Sequence, residues 1–301
     1  MKTTSFFGRT LALAAIVLLG ATISCEEDNA VLQEEAADIT EDVITDYFFE
    51  DADDIINLVL LAYDRPDTGD TTSIPRTIVM ADPRLTCNEV VVTITMDEES
   101  SSETPKGRIV INFGEAGCTD ASNNVRKGKL IVDFTGRRFL PGSTIVTSFD
   151  KYTINDIKLE GVRTLTNIST SNLDFPRFGV ELESGKITWP DGTEAMRTHC
   201  FIREWIRAAN PLNDAVVVDR CTGANVAALG INRRGRAYTM LILEQLMYKR
   251  GCPIAVKGVK QFVDVATGKV IMVDYGDGNC DSVITVSVDG YSRSVNVGRR
   301  G

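Results

Sequence analysis

VITVSVDGYSRSVNV, residues 283–297, alternates β-branched and polar side chains on either side of Asp289-Gly290. An Asp-Gly pair between two such runs favours a two-residue type I′ turn, because glycine accepts a positive φ without steric cost. The turn sets a register with Val288 opposite Tyr291, Val286 opposite Arg293 and Ile284 opposite Val295. Thr285, Ser287, Ser292 and Ser294 then share the other face. One apolar and one polar face imply an antiparallel sheet covered on one side.

Upstream of this hairpin the same pattern recurs. EVVVTITM (89–96), RIVINF (108–113), KLIVDF (129–134), STIVTSF (143–149) and YTINDIKL (152–159) are rich in β-branched residues. Gly, Asn, Asp or Pro separates most of them, as expected of strands and turns. The chain therefore reads as mainly β from about residue 75 to 301, an antiparallel meander or sandwich. Three fragments, INFGEAGC (111–118), ITWPDGT (187–193) and VDYGDGNC (273–280), share an aromatic, a Gly or Pro, an acid and a small residue. Each follows a Gly-basic pair and a β run, which reads as a degenerate repeated unit. In physical terms Phe113, Trp189 and Tyr275 are the last side chains a strand buries before a turn.

The N-terminal quarter is different. Lys2 and Arg9 precede an uncharged apolar run, LALAAIVLLGA (11–21), then TISC (22–25). The run has the length of a signal h-region and is too short to span a bilayer. It resembles a bacterial lipoprotein signal, with residues 1–24 removed and Cys25 as the lipid-attachment residue. From Cys25 to Asp64 there are 14 Asp or Glu and no Lys or Arg, whereas residues 65–301 hold 30 basic and 28 acidic residues. The polar stretch 25–37 reads as an acidic tether, and CEEDN (25–29) resembles that of surface-exported lipoproteins in Bacteroidota-type envelopes. Residues 38–66 read as a helical region: Ile55, Ile56, Val59, Leu60 and Tyr63 lie on one stripe, and Ile39, Val43 and Tyr47, with Ile44 and Phe48, suggest a separate helical segment before it. Asp53 or Asp54 can cap the start of the second stripe and Pro66 prevents its continuation. Its apolar face is expected to dock on the β-domain rather than on anionic lipid.

Besides Cys25 there are six cysteines, Cys87, Cys118, Cys200, Cys221, Cys252 and Cys280, in sequential pairs separated by 31, 21 and 28 positions. Six cysteines allow 15 connectivities. Local pairing is the simplest in an oxidising compartment, and each bridge would be worth roughly 3–4 kcal/mol in the chain-entropy model. Zinc is disfavoured because there is no C-x-x-C and one histidine.

FGEAGCTD, NVRKGKLIV, PGSTIVTSFDKYTINDIKLEGVRTLTN, GKITWPDGT and VDYGDGNCDSVITV, in this order between Thr77 and Val297, resemble a group of Bacteroidota-type envelope lipoproteins with no established activity. The resemblance implies a mainly β envelope lipoprotein and carries over no catalytic residue.

Candidate chemistry is sparse. His199 and Cys200 are adjacent, so in a strand they face opposite ways and cannot form a nucleophile pair. No G-x-S-x-G, H-E-x-x-H or phosphate-cradling loop occurs. Asp277, Asn279 and Asp281 alternate like oxygen ligands of a calcium loop, although Ser282 and Val288 stand where an EF-hand needs Gly and Glu. Calcium is the one cofactor that the sequence suggests. Arg126, Lys127 and Lys129, with Arg233, Arg234 and Arg236, would make a positive stripe for phosphate or uronate groups if the repeat places them on one sheet end. Nucleic acid does not fit an exported, near-neutral body. The expectation is a lipid-anchored protein of the cell envelope, in the outer membrane, with a non-enzymatic binding or structural role toward a glycan or surface protein. The alternative is a carbohydrate-active or other hydrolase using dispersed carboxylates.

Overall fold

The computed structural model describes residues 10–63, 75–78, 80, 82–87, 90–171, 175–209, 214–249, 252 and 254–297, with helix side chains described over 33–62. Among the described residues one helix precedes sixteen strands. The helix is α1 (Thr10–Tyr63). The first strands are β1 (Arg76–Ile78), β2 (Val91–Met96), β3 (Lys106–Asn112), β4 (Cys118–Thr119) and β5 (Val125–Thr135). Next come β6 (Thr144–Ile154), β7 (Ile157–Asn167), β8 (Arg177–Thr188), β9 (Glu194–Ile206) and β10 (Ala215–Arg220). The last are β11 (Ala228–Ile231), β12 (Ala237–Lys249), β13 (Lys257–Asp264), β14 (Val270–Asp277), β15 (Val283–Val288) and β16 (Tyr291–Asn296).

All strands belong to one antiparallel sheet, in near-sequential order from β1 to β16, with β4 beside β5 and β11 bridging β9 and β12. The meander expected from the sequence is therefore present. The C-terminal hairpin has the expected register, Val288 with Tyr291, Val286 with Arg293 and Ile284 with Val295. Asp289 and Gly290 both take positive φ, 51° and 86°, as a type I′ turn requires. Ile284, Val286 and Val288 are buried, while Tyr291 and Arg293 are exposed.

Helix formation follows from composition: residues 33–63 contain neither Gly nor Pro. The result is one continuous helix rather than two segments. It also runs through 25–37, and Glu35 and Ala36, in the stretch expected as tether, are buried against the sheet. Asp53 and Asp54 lie inside the helix, not at its cap, and Pro66 lies outside the described residues.

α1 is the centre of the molecule. Ile39, Val43, Phe48, Phe49, Ala52, Ile55, Ile56, Val59 and Leu60 are all buried in one core with side chains from most of the strands. From β5 to β16 the eleven strands of the main path would span roughly 48 Å if flat, yet side chains from across that span meet a helix about 10–12 Å wide. The sheet must curl around α1. Bulges permit the curl, with register shifts in β5–β6, β6–β7, β7–β8, β8–β9, β12–β13 and β13–β14. Gly128 shows why glycine is needed at such a point: φ is 78°, and a Cβ would lie 2.2 Å from the Lys151 carbonyl oxygen.

Three bridges form, Cys87–Cys118, Cys200–Cys221 and Cys252–Cys280, as sequential pairing anticipates. Phe113, Trp189 and Tyr275 are buried at or near strand ends, each followed within three residues by a glycine of positive φ: Gly114, Gly192 and Gly276. The Gly-basic ends of the fragments differ in place. Gly107 is the second residue of β3, Gly185 sits at the β8 bulge, and Gly268 is in the turn before β14.

Candidate functional site

Along α1, Glu35, Asp38, Asp42, Asp46, Glu50 and Asp53 recur every three or four residues and so share one face. Strands on the concave side of the sheet, and the turns before β12 and β14, answer each of them with a cation. Glu35 pairs with Arg236 at 2.9 Å and Lys269 at 3.2 Å, and Asp38 with Arg234 and Arg236. Asp42 and Asp46 share Arg197, at 3.3 and 2.8 Å, and Lys260, at 3.8 and 2.6 Å. Glu50 meets Arg203 and Arg163, and Asp53 accepts two bonds from Arg163 Nε. On the neighbouring face Asp51 binds Arg126 at 2.9 Å and Arg84 at 3.5 Å.

Arg163 and Arg197 stand where alternation would otherwise place apolar side chains. In β9, Arg197, His199, Phe201 and Arg203 share one face by period two, while Cys200 takes the other face to reach Cys221. The His199–Cys200 nucleophile is thereby removed. Arg163 Nη1 contacts His199 Nε2 at 3.0 Å. Guanidinium nitrogens only donate, so Nε2 accepts and the ring proton is on Nδ1. Burial, with the charges of Arg163 and Arg197, holds His199 well below its ordinary value and keeps it neutral. For Asp46, burial pushes upward, but Arg197 and Lys260 win and hold the carboxyl well below the usual range.

Where the curled sheet leaves the helix uncovered, a groove of about 720 Å³ opens beside the last turns of α1. One wall is the helix face bearing Tyr47, Asp54, Asn57, Leu58 and Leu61. The other is a row across three strands, Trp205 of β9, Val216 of β10 and Tyr248 of β12. Val216 is the register partner of both aromatics, so the row is about 10 Å wide. Beneath Trp205 the Arg138 guanidinium lies 4.8 Å from the Phe139 ring centre, 5.6 Å from Phe178 and 6.0 Å from Trp205. Such stacking fixes the aromatic wall. Asp54 opens onto the groove, but the protein crowded around its carboxyl, helped by the charges of Asp53 and Asp51 against Arg84, raises it to about 6. The Cys252–Cys280 bridge fastens the groove's rim to the segment after β14.

The basic residues singled out in the sequence make no common strip. Arg126 is buried between Asp51 and Asp120; Lys127 pairs with Asp156 and Lys129 with Asp150. Arg233 pairs with Glu41 and Asp191 and covers the Trp189 ring at 4.6 Å. Arg234 and Arg236 are held by Glu34, Glu35 and Asp38. Asp38 and Asp51, which mark the two clusters on α1, are thirteen residues apart, about 20 Å along a helix. These cations are spent on the protein's own carboxylates. The calcium candidates form turns: Asp277 accepts from the Asn279 side chain at 2.7 Å, and Asp281 from the Val283 amide at 3.0 Å. The Lys249 ammonium occupies the Gly278 carbonyl at 2.7 Å. Among the described residues no three His, Cys, Asp or Glu side chains gather as a metal group. The side chain of Cys25 lies outside the described residues. No helix among them is long and apolar enough to cross a membrane.

Phe113, Trp189 and Tyr275 do not converge on one pocket. Phe113 packs on Tyr152 at 5.7 Å, Trp189 borders a small cavity under Asp42 and Arg197, and Tyr275 lines the groove. No protein-family model, curated protein or solved structure matches this chain.

Proposed function

We propose that this chain is an exported, lipid-anchored envelope protein that binds a glycan or a surface partner without transforming it. The observation that carries the reading is the groove: a fixed aromatic row facing a polar helix face. Around it the guanidinium groups of Arg84 and Arg203 are tied to Asp51, Asp82 and Glu50, which favours a rigid receptor surface over a reactive centre. Export is supported by the short apolar N-terminal run before Cys25 and by three disulfides in a chain of this size.

Cys25→Ala tests the anchor. The variant is expected to leave the membrane fraction and appear soluble with its three bridges intact; retention on membranes would refute the lipid. A glycan array probed with the intact mature protein tests the binding role. Turnover of any glycan on that array would instead establish a hydrolase.

A further inference from the structure

The groove's polar groups are unequally satisfied. Its cations are engaged: Arg84 with Asp82 at 3.0 Å and Asp51, Arg203 with Glu50, Lys249 with the Gly278 carbonyl, and Arg138 stacked among the Phe139, Phe178 and Trp205 rings. Its acceptors are less completely met. Among the described residues neither Asp54 nor Asp214 has an ion-pair partner, and Asp214 accepts one bond, from the Ala208 amide at 2.8 Å. The Asn57 Oδ1 atom is buried and has no hydrogen-bond partner. Asp54, Asn57 and Leu58 lie within one turn and a residue of each other on the helix wall, opposite Trp205 and Tyr248. A buried acceptor without a donor is costly, so this wall favours an occupant that brings donors.

We propose that the groove binds a neutral or amine-bearing sugar segment, its ring face on the Trp205–Val216–Tyr248 row and its hydroxyl or ammonium groups on Asp54, Asn57 and Asp214. A pyranose has the required two characters, an apolar C–H face for an aromatic and an equatorial rim of donors. A uronate or phosphate has the wrong charge, since it would face two carboxylates with no uncommitted cation among the groups named. The ligand class is thus opposite in charge to the one the basic clusters suggest. This assignment rests on the binding reading above and narrows it.

Titration calorimetry on the intact mature protein decides it, with three probes: a neutral hexose oligomer, a glucosamine oligomer and an oligogalacturonate. At least one of the first two is expected to bind. Trp205→Ala should weaken that binding roughly tenfold through lost stacking, and Asp214→Asn should weaken the glucosamine oligomer more than the neutral one. Near-ultraviolet circular dichroism checks that each variant is folded, and Asp214→Asn, outside the core, guards against a misfolded Trp205→Ala. Preference for the oligogalacturonate, or for a lysine-rich peptide over every sugar, overturns the proposal. Sugar binding unchanged by both variants also overturns it while leaving the broader binding role standing. Silence of all three probes overturns it as well, and the broader role fails separately only if the full array is blank.

Discussion

Arg163 has almost no exposed surface and serves three groups, Asp53, Glu50 and His199. Buried ion pairs gain little net stability over apolar packing, but removal of one partner strands the other charge. Arg163→Met should therefore cost about 3–5 kcal/mol, read as a lowered denaturant midpoint at unchanged slope. A loss below about 1 kcal/mol would mean that Arg203, 3.6 Å from Asp53, or water compensates the stranded carboxylate. Such residues were hard to read in the sequence. Arg163 and Lys260 look like ordinary polar breaks in β runs, and His199 like a stray beside a cysteine. The available signal was a mismatch of charge: forty residues with 14 acids and no base, followed by strands carrying Arg at positions that alternate with apolar ones. An acidic helix with a buried apolar stripe needs cations somewhere, and those positions are where a concave sheet supplies them.

At the scale of elements, α1 does the work that a second sheet does in a sandwich. Its apolar residues fill the core and its carboxylates neutralise the concave face. A chain lacking residues 33–63 should consequently fail to fold rather than expose an empty basic trough. The expected observations are loss of near-ultraviolet signal and of amide protection; a cooperative transition in the truncated chain would contradict this account. Most of the strands read from the sequence are legible, down to the 288–291 register and the three bridges, because turn chemistry and alternation are local; YTINDIKL (152–159), read as one strand, instead holds the Asn155-Asp156 turn between β6 and β7. The groove is not legible in this way. Trp205, Val216 and Tyr248 align only through the pairing of β9, β10 and β12, which no short window of sequence contains. In the sequence Asp53 and Asp54 resemble a cap that would divide the helix, whereas Asp53 is held by Arg163 and needs no amide to bind.

Across the whole molecule the buried charges predict how stability responds to acid. His199 is depressed in the folded state from an ordinary 6.5, so the unfolded chain takes up its proton first and stability falls as pH drops below that value. Asp54 is raised from 3.8 to about 6, so between those values the folded state takes up the proton and stability rises as pH drops. The two largely oppose each other. Asp46, depressed, adds stability above an ordinary 3.8 that is lost as pH falls below it, and Asp82 and Asp120 act in the same direction. Unfolding midpoints should be nearly level from about pH 6 to 4.5 and drop steeply below pH 4. In His199→Gln the level region should become a rise toward pH 5. A midpoint that declines steadily from pH 7 in both proteins would contradict these assignments.

α1 continues unbroken from the position of Cys25 into the middle of the roll. A lipid there would make the helix a tow line. Tension applied at the membrane would run along the helix axis and load Glu35, Asp38, Asp46 and Glu50 against their strands together, in shear. Strands would not peel off one by one, so the anchored protein should resist pulling from its N-terminus far better than pulling on the β16 edge.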